Sequence, residues 1–205
     1  KLIGGTYISY LVVEAKGEDE IKRPDVIGYI EKLQRYLEVN HLVGKTTSVA
    51  DVVKRVSYVL HDEDKKFETL PKDMETIGQY LFLFLMSSSP DELDNFVDYT
   101  FKKANIWVQL KSGDNRDMTR VVKDVENYIK SNPLPDCIKI EWSGLPYLNI
   151  IWQKLMVVGM LKSTVGSWWI IFILLIIQFR SFWWGLAGML PLGFSVLFSY
   201  GLIGF

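Results

Sequence analysis

The hydrophobic pattern changes character near residue 155. Before it, apolar residues come in short periodic groups separated by charged turns. After it, two runs are apolar almost without interruption. In the first part Thr6–Val13 (TYISYLVV) is β-branched and aromatic, which predicts a strand. Pro24 and Asp25 open a helix, in which Val26, Ile27, Ile30, Leu33 and Leu37 recur at helical spacing. A short extended stretch, Leu42–Thr47, follows. Ser48 with Asp51 makes a capping-box pattern, and Val49, Val52, Val53, Val56 and Val59 lie on one face of the next helix. After the charged loop His61–Lys66, Pro71 precedes a helix running to about Met86. Ser89-Pro90-Asp91-Glu92 repeats the capping signal, with proline at the first helical position. Ala104, Ile106, Val108 and Leu110 alternate as a strand. Met118, Val121, Val122, Val125 and Ile129 give a helical face that Pro133 and Pro135 end. Ile138, Ile140 and Trp142 alternate as a last strand.

The order is β-α-β, a helical insert at about 48–100, then β-α-β. Two such units predict an α+β domain on the ferredoxin-like, split-βαβ plan, an antiparallel sheet with helices on one face. Gly144-Leu145-Pro146 closes this domain, placed at 1–146. Residues 147–205 are read as a connecting helix over Tyr147–Val158 and two membrane helices, about 157–179 and 182–205. The uncharged stretch Ser163–Phe179 is about 25 Å long as a helix. With the turn before it, it crosses a hydrocarbon core of roughly 30 Å, and Lys162 can snorkel to the interface. Gln178-Phe179-Arg180-Ser181 is a turn of three or four residues, flanked by Trp183 and Trp184 as interfacial aromatics. Its arginine favours the cytoplasmic side, which leaves 1–150 extracytoplasmic. Ala187, Pro191, Ser195 and Ser199, spaced by four, form a small-residue stripe that lets helices approach closely.

Composition changes this picture little. A hydrophobic share of 49% and a net charge of −1 would suit a soluble protein. The distribution does not. Two of the 23 basic residues, Lys162 and Arg180, are the whole charge between Leu155 and Phe205, leaving 21 basic and all 24 acidic residues to Lys1–Lys154. No basic excess points to nucleic acid. The chain begins at Lys1 without a signal peptide and stops inside an apolar run, so a fragment of a larger protein is expected.

Candidate chemistry is sparse. His41 and His61 lack ligand-spaced partners and read as surface or turn residues. Gly44-Lys45 has no P-loop frame. Ser48 and Ser89 are caps. The clusters Glu18-Asp19-Glu20 and Asp62-Glu63-Asp64 read as solvated turns, with a weak cation site as the other reading. Cys137, the one cysteine, opens a strand as a small core residue. Tyr80–Met86 (YLFLFLM) is apolar all round; burial is the simpler reading, and a greasy cleft lined by Phe84 and Met86 the other. The expectation is no catalytic, cofactor-binding or metal site, and no enzyme. The membrane runs hold no acid, so they carry none of the titratable groups that a proton-driven bundle needs.

Several segments together resemble one family. They are Gly4-Gly5-Thr6 before the first strand, Val43–Val53 (VGKTTSVADVV), Pro71, Gly144-Leu145-Pro146, and above all Phe179-Arg180-Ser181 followed by Gly185-Leu186 and Leu190-Pro191-Leu192. Their order resembles the resistance–nodulation–division (RND) superfamily, in its lipid- and hydrophobe-exporting, Patched-like branch. The resemblance implies a secondary transporter of about a dozen helices in two similar halves. This chain would be one porter domain with helices two and three. It implies proton-driven export of lipids or other amphiphiles, with the relay acids in a later helix beyond Phe205. The partners implied are membrane lipids, the substrate, the remaining helices and other copies of the protein. Two other readings stay open: a membrane-tethered extracytoplasmic sensor or binding module, and a protein-translocation accessory of the same superfamily.

Overall fold

A computed structural model describes residues 5–87 and 90–203. Four strands make one sheet: β1 (Tyr7–Ala15), β2 (Val43–Thr47), β3 (Lys103–Leu110) and β4 (Ile138–Ser143). Their spatial order is β2-β3-β1-β4, and every neighbouring pair is antiparallel. That is the α+β arrangement expected from the sequence. Alternation decides which side is core. Leu11, Val13 and Ala15 of β1, and Ala104, Ile106, Val108 and Leu110 of β3, are all buried. Against them pack α1 (Pro24–Val39), through Val26, Ile27, Ile30, Leu33 and Leu37, and α5 (Asn115–Ser131), through Met118, Val121 and Val125. Tyr128 of α5 meets two rings of α1, Tyr29 at 6.0 Å and Tyr36 at 4.6 Å between centroids. Cys137 is a buried free thiol at the edge of this core.

The insert between β2 and β3 holds α2 (Val49–Leu60), α3 (Met74–Ser87) and the short α4 (Pro90–Asp94). Ser48 caps α2 in a complete capping box with Asp51. Ser89, expected to cap the helix at Pro90, lies outside the described residues. Two expectations fail here. Val49, Val52 and Val53 are buried as expected, but Val59, expected on the same apolar face of α2, is 52% exposed, because the buried face continues through Ala50 and Ser57. Nor is the run Tyr80–Met86 wholly buried. Ile77 and Leu81 of α3 are fully enclosed, and Tyr80, Phe84 and Leu85 are half-buried, but Phe82, Leu83 and Met86 are exposed. A helix covered on one side buries only one stripe, whatever the composition of the other.

The chain divides into two compact units between Ile151 and Trp152. A single helix, α6 (Leu145–Phe179), passes through this point, so no break separates the connecting segment from the first apolar run. At 35 residues it is about 52 Å long. Pro146 is its second residue, where no amide hydrogen is needed for the helix. Gly144, just before it, has φ +101°, and a β-carbon there would stand 3.2 Å from Tyr10 Cδ2.

Candidate functional site

The second unit is the feature that points to function. Helices α6 and α7 (Phe182–Ile203) are joined by two residues, one or two fewer than expected. Arg180 takes the left-handed conformation, φ 48°, that ends a helix, and the Ser181 carbonyl then accepts from Gly185 N at 3.1 Å to start the next.

The pair packs along Thr164, Phe172, Leu175 and Ile176 of α6 and Gly185, Met189, Leu192, Gly193 and Val196 of α7, the residues of lower exposure. Gly185 is the tightest point: a β-carbon there would lie 2.9 Å from Ile176 Cγ1 and 3.2 Å from Ile176 N. At Gly188 it would be 3.3 Å from Leu175 Cδ1. The small-residue stripe Ala187, Pro191, Ser195 and Ser199 is exposed, so it is not the face α7 turns to α6. A groove of about 470 Å³ lies between the two helices, lined by Val165, Trp168, Trp169, Phe172, Leu186 and Met189, with Thr164 its one polar side chain. Large apolar residues such as Leu155, Leu161, Trp169, Leu174, Trp183, Phe194 and Leu197 are exposed around both helices. In water that surface would cost on the order of 25 cal/mol per Å²; in hydrocarbon it costs nothing. Lys162 and Arg180 are the charges in this unit after Lys154.

The residues weighed for chemistry in the first unit are spread out. His61 ends α2, with Nδ1 2.7 Å from the Ser57 carbonyl and its ring stacked on Phe67 at 4.1 Å. His41 is an exposed residue beside Asn40 and Arg120 in a shallow surface depression. Ser48 is fully buried and bonded to Gln34 Oε1 at 2.6 Å. Asp19 pairs with Lys22 at 2.6 Å, the Glu20 carboxylate accepts from Gly17 N, and Asp64 accepts from Lys66 N. Among the described residues no group of three or more His, Cys, Asp or Glu side chains is gathered to hold a metal. The carboxyl of Glu31 is the clearest electrostatic feature. Burial pushes it up, but hydrogen bonds from Arg35 and Lys54 outweigh that and hold it below the usual range. This ties α1 to α2.

Reading the sequence missed Thr164, Met189, Leu192 and Val196 as helix-contact residues. The spacing 185, 189, 192, 196 was available, but in a helix apolar all round such a stripe has no contrast.

An antiparallel α+β domain followed by two apolar helices, each long enough to span a bilayer, defines a membrane protein with two candidate spans. Comparison with known proteins agrees. Over 98% of its length the chain is distantly homologous, at 22% identity, to the Methanocaldococcus jannaschii protein named "Putative membrane protein MJ1562". The chain spans about half the length of that relative, which it covers to 50%. No protein-family model matches the chain.

Proposed function

We propose that the chain is part of an RND-type secondary transporter that exports lipids or other amphiphiles, driven by protons. In this reading the domain stands outside the membrane and handles substrate, and the Arg180 turn faces the cytoplasm. The observation that carries the reading is the sequence of parts: a β2-β3-β1-β4 sheet with a helical insert, leading within a few residues into a membrane hairpin closed by a two-residue turn. The relative of twice the matched length supports a larger membrane assembly around it. The hairpin has no Asp or Glu, so the coupling acids belong to the rest of that assembly.

The test is the complete protein reconstituted into liposomes with a fluorescent phospholipid and an imposed proton gradient. Lipid movement that stops when a protonophore collapses the gradient is expected. Movement indifferent to the gradient would remove proton coupling. Amphiphile bound but never moved would replace the transporter with a tethered binding module. Labelling of an Arg180→Cys variant from the cytoplasmic side only is the matching topology result.

A further inference from the structure

The sheet ends on β2 at one edge and on β4 at the other, and the two edges are built differently. β2 is interrupted by a shift of register between Val43 and Lys45, an irregularity that turns an edge away from further pairing. β4 runs in unbroken register along β1 from Ile138 to Ser143. Just before it, Lys16 N donates to the Cys137 carbonyl at 2.8 Å. Bonding alternates along an antiparallel pair, so Lys139, Glu141 and Ser143 also turn their backbone groups to β1, while Ile138, Ile140 and Trp142 turn theirs outward. The Ile138 N–H is taken by the Pro135 carbonyl at 3.1 Å. The backbone N–H and C=O of Ile140 and Trp142 have no protein partner among the described residues.

The side chains of β4 sort by face. Leu11 pairs with Trp142 and Val13 with Ile140, and directly opposed residues share a face, so Ile138, Ile140 and Trp142 stand on the core side. Ile138 is buried, while Ile140 and Trp142 are half-buried and, with Val125 and Ile129 of α5, line a cavity of about 320 Å³. Lys139 and Glu141 stand on the other face, and both are exposed. Neither side chain has an ion-pair or hydrogen-bond partner among the described residues; Glu14, opposite Lys139, is held by Lys103 at 3.2 Å. Run antiparallel to itself about Ile140, the segment Ile138–Trp142 (IKIEW) is self-complementary. Lys139 then faces the partner's Glu141, and Glu141 faces the partner's Lys139. On the apolar side Ile140 meets the partner's Ile140, and Ile138 meets the partner's Trp142. Centring the pair on Lys139 or on Glu141 instead puts like charges opposite each other, which is destabilising. Charges on an edge strand ordinarily repel other strands; here their order admits a copy of the same strand in one register.

We propose that the β4 edge is an interface between two copies of this chain, in which β4 pairs antiparallel with the partner's β4 about Ile140 and the sheet runs on from one copy into the other. Ile140 and the partner's Ile140 exchange both backbone hydrogen bonds, and each Trp142 backbone N–H donates to the Ile138 carbonyl across the interface. The occupant is a second copy because the complementarity is that of β4 with itself, as a two-fold interface requires. Pairing over so short a segment buries less than a standard interface. The membrane hairpin offsets this by holding both copies in one bilayer at raised effective concentration. The inference goes beyond the exporter reading and does not depend on it.

The experiment reconstitutes the whole 205-residue chain in phospholipid liposomes, as donor- and acceptor-labelled copies, and reads energy transfer against dilution with lipid. The unaltered chain should self-associate. Glu141→Lys sets a lysine against the partner's Lys139, and Lys139→Glu sets a glutamate against the partner's Glu141. Each variant should associate with itself about tenfold more weakly. Mixed together, the two regain both opposite-charge pairs and should associate as the unaltered chain does. Register is read by disulfides in a Cys137→Ala background. Lys139→Cys mixed with Glu141→Cys should cross-link on oxidation, since opposed residues of a non-hydrogen-bonded pair lie about 4.5 Å apart between Cα atoms, and neither should cross-link with itself. An unaltered chain that stays monomeric overturns the proposal and leaves the edge to some other strand. So does association indifferent to the charge reversals, or the absence of rescue between variants that melt with the unaltered chain. Should a charge variant fail to fold, the disulfide pattern decides: cross-linking of Lys139→Cys or Glu141→Cys with itself in preference to the mixture refutes the pairing about Ile140.

Discussion

Replacing Ser48 by alanine should loosen α2 far more than loss of one surface hydroxyl would. Ser48 is fully buried. Its Oγ accepts from Ala50 N at 3.1 Å and donates to Gln34 Oε1 at 2.6 Å. Asp51 Oδ2 accepts from both Ser48 N at 3.0 Å and Gln34 Nε2 at 2.8 Å, closing a ring between α1 and α2. Removing the hydroxyl takes away the cap, about 1 kcal/mol. It also leaves the buried Gln34 oxygen without a donor, about 1–3 kcal/mol more. The two together come to about 2–4 kcal/mol. At about 1.4 kcal/mol per factor of ten, this is a roughly 30- to 1,000-fold loss of protection for the α2 amides if they exchange by local opening. Hydrogen–deuterium exchange with mass spectrometry on peptides covering Val49–Leu60 reads it directly. The orphaned-oxygen part is separable. In Gln34→Met the oxygen is gone, so adding Ser48→Ala to that background should cost only the cap, about 1 kcal/mol. A loss under about fivefold in Ser48→Ala, or strict additivity in the double variant, would refute the reasoning.

Gly185→Ile should separate α6 from α7 and lower the melting temperature of the detergent-solubilised chain, since even a β-carbon meets Ile176 at 2.9 Å. Ala187→Ile, on the exposed stripe, should not. Equal damage from both would mean the stripe is itself packed. Asp98 gives a pH prediction. Burial pushes its carboxyl up, but hydrogen bonds from Lys103 N, Thr100 Oγ1 and Lys102 N hold it below the ordinary value of 3.8. A depressed folded-state value means the contribution is complete above the unfolded value and is lost as pH falls through the lower, folded one. An acid titration of stability should therefore show a loss below about pH 4 that Asp98→Asn lacks, the variant costing about 1–2 kcal/mol at neutral pH. Gly144→Ala should cost about 1–3 kcal/mol in a denaturant titration, because φ +101° is retained only at the expense of a contact 3.2 Å from Tyr10.

How far such features can be read in advance depends on contrast along the chain. Strand β3 is legible because Ala104, Ile106, Val108 and Leu110 are apolar and Lys103, Asn105 and Gln109 are not, so period two fixes both element and face. The capping box of α2 is legible because Ser48 and Asp51 act across three residues, and local chemistry needs no tertiary partner. What the box could not announce is Gln34, fourteen residues upstream and joined to it only by folding. Helix α3 fails for the opposite reason. Tyr80–Met86 is apolar on every face, so its pattern does not say that Leu81 is enclosed while Phe82 and Met86 stay outside. The same loss of contrast hides the α6–α7 seam. The spacing of Ala187, Pro191, Ser195 and Ser199 is the visible regularity in α7, yet the tight approach is made at Gly185, where the two-residue turn forces the helices together whatever lies further along. Connection length, more than periodicity, determines that contact.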